Sequence, residues 1–173
     1  SIDLADEEGW TALHWAAQNN SHQCMELLLQ NGADAGRASN EGCTALHFAA
    51  NSNSYECVSL LLQHGVVVDA TTTVYGETSL RLASLQGHLS VVELLVQAGS
   101  DFEIADIDGQ TAVDIAREGG HSAVVRFLSI EGNWRRRRNY VTMLSSIHGA
   151  PTVSKAMQAF QCHDVARVIA SYL

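Results

Sequence analysis

The chain has 173 residues, 46% of them hydrophobic, and carries 10 Lys+Arg against 19 Asp+Glu for a formal charge of -9. That is the composition of a folded globular chain rather than a disordered one. No apolar run reaches the roughly 18–20 residues that a membrane-spanning helix needs. The N-terminal SIDLADEEGW lacks the basic head and apolar core of a signal peptide. It has no initiator Met, and the expectation is a piece of a longer protein. Cys24, Cys43, Cys57 and Cys162 form no C-x-x-C pair. Reduced thiols and an intracellular setting, cytoplasmic or nuclear, are therefore expected.

Read in chain order, the sequence says nearly the same thing four times. Gly9, Gly42, Gly76 and Gly109 recur at intervals of 33, 34 and 33 residues. Each precedes a short helical segment: TALHWAA at 11–17, TALHFAA at 44–50, TSLRLAS at 78–84 and TAVDIAR at 111–117. A Thr stands where each helix should begin, and small apolar residues such as Leu13, Ala16 and Ala17 fall at helical spacing. Asn20, Asn53, Gly87 or Gly120 follows, residue types that accept a left-handed conformation and end a helix. A second apolar segment comes next: CMELLL (24–29), CVSLLL (57–62), VVELLV (91–96) and VVRFL (124–128). Gly32, Gly65, Gly99 and Gly132 are expected to close these second helices, and a polar, turn-rich stretch leads to the next unit. Neither helix is long enough to stand alone, so periodicity of this size predicts stacked units sharing one core.

The T-x-L-H-x-A-A segments, the Gly-His pairs at 87–88 and 120–121, the leucine runs and GADA at 32–35 resemble ankyrin repeats. The resemblance covers about residues 3–131. It implies an all-α ankyrin-repeat solenoid of helix-turn-helix units and hairpin loops, with repeats near 1–35, 36–69, 70–102 and 103–131. It also implies that Thr11-His14 and Thr44-His47 knit neighbouring turns by hydrogen bonds. Arg81 and Asp114 replace that His in the later repeats, which must satisfy the same groups differently. The loop VVVDATTTVY after Gly65 carries one extra residue, so an enlarged or distorted hairpin is expected there. Ile2-Asp3-Leu4-Ala5 looks like the tail of an earlier repeat.

Sequence constellations that suggest chemistry have simpler explanations. His14 and His47, like His88 and His121, occupy equivalent repeat positions, which predicts structural roles rather than a metal site. Cys24 and Cys57 also repeat, and core packing is the expectation for both. Cys162-His163-Asp164 are consecutive, whereas catalytic triads assemble from separated segments. No phosphate loop, nucleophile elbow or zinc-protease motif occurs. The expectation is a non-catalytic chain with no cofactor and no metal.

By resemblance, the function is protein-protein interaction, a scaffold or adaptor that binds a partner protein or peptide through hairpin tips and the inner-helix face. Carried over by position, that surface holds Glu7, Glu8, Trp10 and Gln18 in the first repeat. Asn40, Glu41 and Asn51 follow in the second, and Val74, Tyr75, Glu77 and Leu85 in the third. The fourth contributes Ile107, Asp108 and Gln110. Residues 1–131 hold 4 basic and 18 acidic side chains, which favours a basic partner and disfavours nucleic acid. A monomer without membrane attachment is expected.

Residues 132–173 reverse the charge, with 6 basic residues and 1 acidic. Apolar residues at helical spacing predict a helical C-terminal capping segment over 132–173, opening at Asn133 and Trp134. Arg135, Arg136 and Arg138 form a basic patch within the run Arg135–Arg138. The alternative functions are nucleic-acid or polyanion binding through that patch, or service as the targeting domain of a larger enzyme.

Overall fold

The computed structural model describes residues 1–132. Ser1–Ile130 form one compact unit. The predicted cap and its arginines, Arg135, Arg136 and Arg138, lie outside the described residues.

Seven helices are bounded as α1 (Ala12–Gln18), α2 (His22–Gln30), α3 (Ala45–Asn51), α4 (Tyr55–Gln63), α5 (Ser79–Leu85), α6 (Leu89–Gln97) and α7 (Ala112–Glu118). An eighth, α8, is described over 122–132. The inner helices α1, α3, α5 and α7 pack in succession, and α2, α4 and α6 form a second layer behind them. The alternation follows from side-chain size. Ala16, Ala17, Ala49, Ala50, Ala83 and Ala116 are buried and let the inner helices approach closely. Met25, Leu29, Val58, Leu61, Val91 and Leu95 fill the space between layers.

Each left-handed turn predicted between paired helices is present, with Asn20 at φ 51, Asn53 at 55, Gly87 at 74 and Gly120 at 73. The second-helix glycines behave as expected three times and then differ. Gly32, Gly65 and Gly99 take positive φ beyond α2, α4 and α6. Gly132 instead lies within helical α8. Glycine permits either conformation. The two repeated cysteines also part company. Cys57 is fully buried, as expected of a core residue, but Cys24 is exposed. Leu27, one position from the buried side of α2, is likewise 61% exposed.

Hairpins close at isolated antiparallel bridges, Ala5 with Thr11, Ala38 with Thr44 and Thr71 with Thr78. The last spans one more residue, as the extra residue in its loop predicts. In the shorter hairpins the glycine N–H bonds three residues back, from Gly9 to Asp6 and from Gly42 to Ser39; in the third, Gly76 reaches back four, to Thr72. Successive hairpins are joined by main-chain hydrogen bonds, Asn40 to Glu8 (3.0 Å), Thr73 to Glu41 (2.8 Å) and Ile107 to Tyr75 (3.1 Å). This approach explains Gly42, whose φ is +78. A Cβ there would lie 2.7 Å from the Thr73 nitrogen.

Side chains stitch the repeats in both directions. The Thr11 N–H donates to Nδ1 of His14 at 2.9 Å, and Nε2 faces the Cys43 carbonyl at 3.2 Å. His47 repeats this with the Thr44 N–H (3.1 Å) and the Glu77 carbonyl (3.1 Å). A carbonyl can only accept, so each ring must carry its proton on Nε2 and accept at Nδ1. Looking backwards, Ser54 donates to the Ala17 carbonyl (3.1 Å), His88 to that of Asn51 (3.1 Å) and His121 to that of Leu85 (2.9 Å).

Burial holds His14 and His47 below their ordinary pKa of 6.5, against the pull of the carbonyls they donate to. The folded chain therefore binds fewer protons than the unfolded chain just below pH 6.5. The stabilisation is complete above that value and is lost as pH falls toward the lowered folded pKa. The urea midpoint is expected to drop between about pH 7.5 and about pH 5.5. Replacing His14→Gln and His47→Gln together should flatten this dependence and cost roughly 1–3 kcal/mol per site at the higher pH, read by circular dichroism.

Candidate protein-binding surface

The surface is built where hairpin tips meet the exposed edge of the inner helices. In the first repeat Glu7 and Glu8 are exposed at the tip, while Trp10 and Gln18 are half-buried. In the second, Asn40 and Glu41 are exposed, and the Asn40 amide donates back to the Glu7 carbonyl at 2.8 Å. Asn51, half-buried, accepts from Gln86 at 3.2 Å, linking two inner-helix ends. In the third, Val74 and Tyr75 stand exposed on the enlarged tip and Leu85 is half-buried. Ile107 is 66% exposed on the fourth tip beside exposed Asp108. Gln110 is half-buried and donates to Glu118 at 2.6 Å.

Two of these side chains are engaged within the array. Trp10 is not a free anchor. Its ring packs on Phe48 at a centroid distance of 4.1 Å and on Trp15 at 4.6 Å, tilted by 54° and 49°. Glu77 is not a free acid either. Its carboxylate takes the Arg81 guanidinium at 2.5 Å. A second guanidinium nitrogen reaches Asp106 of the next hairpin, also at 2.5 Å.

Arg81 thereby does in the third repeat what His14 and His47 do in the first two. It is buried, lies three residues after the helix-capping Thr78 and bonds forward into the next hairpin. Charge replaces the imidazole as the link. At Asp106, burial pushes the carboxyl up, but the Gln110 N–H and the Arg81 charge outweigh it and hold the group below its ordinary 3.8. Asp114 solves the same problem in the fourth repeat. It accepts from both the Thr111 hydroxyl (2.6 Å) and the Thr111 N–H (3.1 Å), which lowers its pKa. Both carboxylates contribute stability that is present above 3.8 and lost as pH falls through their lowered values. This acid range lies below the histidine one.

Sequence reasoning missed Asp6, Trp15 and Phe48. Trp15 and Phe48 occupy the same place in TALHWAA and TALHFAA, one repeat apart, so stacking the repeats brings both near Trp10. Asp6 then holds the group: one carboxylate oxygen accepts from the Trp10 N–H (2.7 Å) and the other from the Trp15 indole N–H (3.2 Å). An open cleft of about 540 Å³ lies against Trp10 and Trp15, rimmed by Asp6, Glu7, Glu8, Asn40 and Glu41. Among the described residues no three His, Cys, Asp or Glu side chains converge to hold a metal ion. Nor is any described helix long and apolar enough to cross a membrane.

The geometry agrees with comparisons to known proteins. Residues 1–72 match the family described as ankyrin repeats (3 copies), and residues 82–128 match ankyrin repeats (many copies). The chain belongs to the ankyrin-repeat family. Ankyrin repeats are in general protein-interaction modules. Among relatives, the human Notch-regulated ankyrin repeat-containing protein is 42% identical over 53 residues, 31% of this chain and 46% of that protein. The Caenorhabditis elegans homolog of transient receptor potential cation channel subfamily A member 1 is 30% identical over 76% of this chain and 11% of its own length. Bovine ankyrin repeat and SOCS box protein 3 is 32% identical over 58% of this chain and 13% of its own. The chain thus spans about half the length of the Notch-regulated relatives and much less of the larger ones.

Breaking the Arg81 link should be costly, because it leaves Asp106 and Glu77 facing each other without their shared cation. Arg81→Ala is expected to lower unfolding free energy by about 3 kcal/mol. Arg81→Lys should recover only part, since one ammonium cannot fork to two carboxylates as a guanidinium does. Urea denaturation of the three proteins checks the order.

Proposed function

We propose that this ankyrin-repeat chain recognises a protein or peptide, without catalysis, through the surface formed by its hairpin tips and inner-helix edge. The observation that carries this reading is the apolar pair at the third and fourth tips. Tyr75 and Ile107 are 59% and 66% exposed, and a main-chain hydrogen bond from Ile107 to Tyr75 fixes one beside the other. Val74 extends the patch. The core makes no use of these side chains, and hydrophobic groups held rigidly in water suit an interface.

Charge selects the class of partner. Of the four arginines in residues 1–132, Arg81 and Arg117 are committed to carboxylates within the array. The remaining excess of acid favours a basic segment over nucleic acid, and it speeds encounter with such a segment at low salt. Free Cys24, Cys43 and Cys57 fit a reducing compartment.

The double variant Tyr75→Ala, Ile107→Ala should keep the circular dichroism spectrum of the wild type. In affinity capture from native lysate, read by mass spectrometry, it should retain a partner about tenfold less well or worse. Equal capture by both proteins would reject this surface.

A further inference from the structure

The cleft at the first two hairpins differs from the rest of the surface. Elsewhere among the described residues the exposed large apolar groups are aliphatic or single rings. Here two indole rings, Trp10 and Trp15, line one side of the cleft, and carboxylates rim it. Trp15 is 49% exposed and yet fixed, because its indole N–H is tied to Asp6 and its ring packs on Trp10. Phe48 backs Trp10, and His14 meets Phe48 edge-on at 5.5 Å. About half of this indole stays in solvent although its position is fixed. Its orientation is set in advance of any ligand.

Two features define what would enter. The first is the electrostatic character of the walls. Indole faces are the strongest aromatic attractors of a cation, and the effect grows where water is partly excluded. None of the residues lining the cleft is cationic, while Glu7, Glu8 and Glu41 are exposed and form no ion pair among the described residues. The Asp6 carboxylate is already engaged by Trp10 and Trp15, so it positions the wall rather than meeting the ligand. The second feature is shape. A centroid distance of 4.6 Å leaves no gap between Trp10 and Trp15, so a cation meets the half-exposed Trp15 ring and the part of Trp10 that lines the cleft. The 49° tilt between Trp10 and Trp15 makes them an angled wall rather than a single plane. An angled wall suits a compact ammonium on a flexible stem better than a planar guanidinium, which stacks on one flat face. The volume, about 540 Å³, exceeds one side chain and leaves room for the peptide that carries it.

We propose that this cleft receives a lysine side chain of a basic peptide, its ammonium over the Trp10 and Trp15 faces and inside the Glu7, Glu8 and Glu41 rim. This rests on the reading of the hairpin surface as a peptide-docking face, and it adds the residue type and the place where it binds. Because the rings attract charge and require no hydrogen bond, a methylated ammonium is accepted as well.

The test uses the full chain, isotopically labelled, with the Trp15 indole N–H signal assigned from Trp15→Phe. Three short Gly/Ser peptides are titrated, identical except for one residue: lysine, trimethyl-lysine, or the uncharged analogue in which carbon replaces the trimethylated nitrogen. Both cationic peptides should shift the Trp15 signal, and the uncharged one should bind at least about tenfold more weakly. Trp15→Ala, at an exposed site that leaves the fold intact by circular dichroism, should abolish binding. Glu7→Gln with Glu8→Gln and Glu41→Gln should weaken it and reduce its salt dependence. Equal binding of trimethyl-lysine and its uncharged analogue would overturn the proposal. So would no effect of Trp15→Ala, or binding of lysine but not trimethyl-lysine, which would assign recognition to hydrogen bonds with the acidic rim rather than to the rings. If no peptide shifts the signal while partner capture still depends on Tyr75 and Ile107, the cleft assignment falls and the docking face stands.

Discussion

The imidazole of His47 performs three tasks at once. Its Nδ1 satisfies the Thr44 N–H that opens α3, its Nε2 holds the Glu77 carbonyl of the following hairpin, and its burial fills the inner layer. Helices of seven and nine residues are too short to persist alone. What makes them stable is that the side chain capping a helix start also ties it to an adjoining repeat, as His14 and His47 do. Ser54, His88 and His121 do the same in the opposite direction. Each bond contributes only about 0.5–1.5 kcal/mol net, but the alternative is a buried polar group with no partner. The array is therefore held less by any one strong contact than by the cost of separating neighbours.

Seen this way, the third and fourth repeats are variations on one requirement. Arg81 carries the forward link by charge, at the expense of desolvating a guanidinium, and its two carboxylates offset that cost. Asp114 keeps only the local part, the cap on Thr111, and adds an ion pair to Arg117 at 3.0 Å. The consequence for the surface is direct. Glu77 and Asp106, although they sit on hairpins, belong to the interior bookkeeping of charge. Glu7, Glu8 and Glu41 at the first two hairpins remain exposed to a ligand. Where arginine replaces histidine, Glu77 and Asp106 are withdrawn from the surface, while Glu7, Glu8, Glu41 and Asp108 stay exposed.

Much of this was legible in the sequence, for physical reasons that particular residues make plain. The helix pairs, their left-handed turns and the enlarged third hairpin could be read because each depends on local backbone chemistry: a capping Thr, an Asn or Gly at positive φ, one extra residue between fixed points. Residues 133–173 and the Arg135–Arg138 run fall outside the described part of the chain. What could not be read locally was which exposed side chains meet. Trp10, Trp15 and Phe48 come from two repeats, and only the stacking distance brings the rings together. Gly132 shows the converse limit. A glycine marks where a helix is free to end, but whether it does depends on what the chain must do next. Cys24 shows the same for burial, since equivalent positions in the first and second repeats do not receive the same cover.

The hairpin spanning Thr71 to Thr78 has a further consequence. A row of equal teeth at equal spacing looks the same after a shift of one repeat. A ligand contacting two or three of them could settle in several registers of similar energy. One longer tooth removes that translational degeneracy. Val74 and Tyr75 stand on the tip that breaks the period, so a ligand spanning neighbouring hairpins meets this irregularity at one position along the array. Register is then fixed by the exception in the repeat rather than by the repeat.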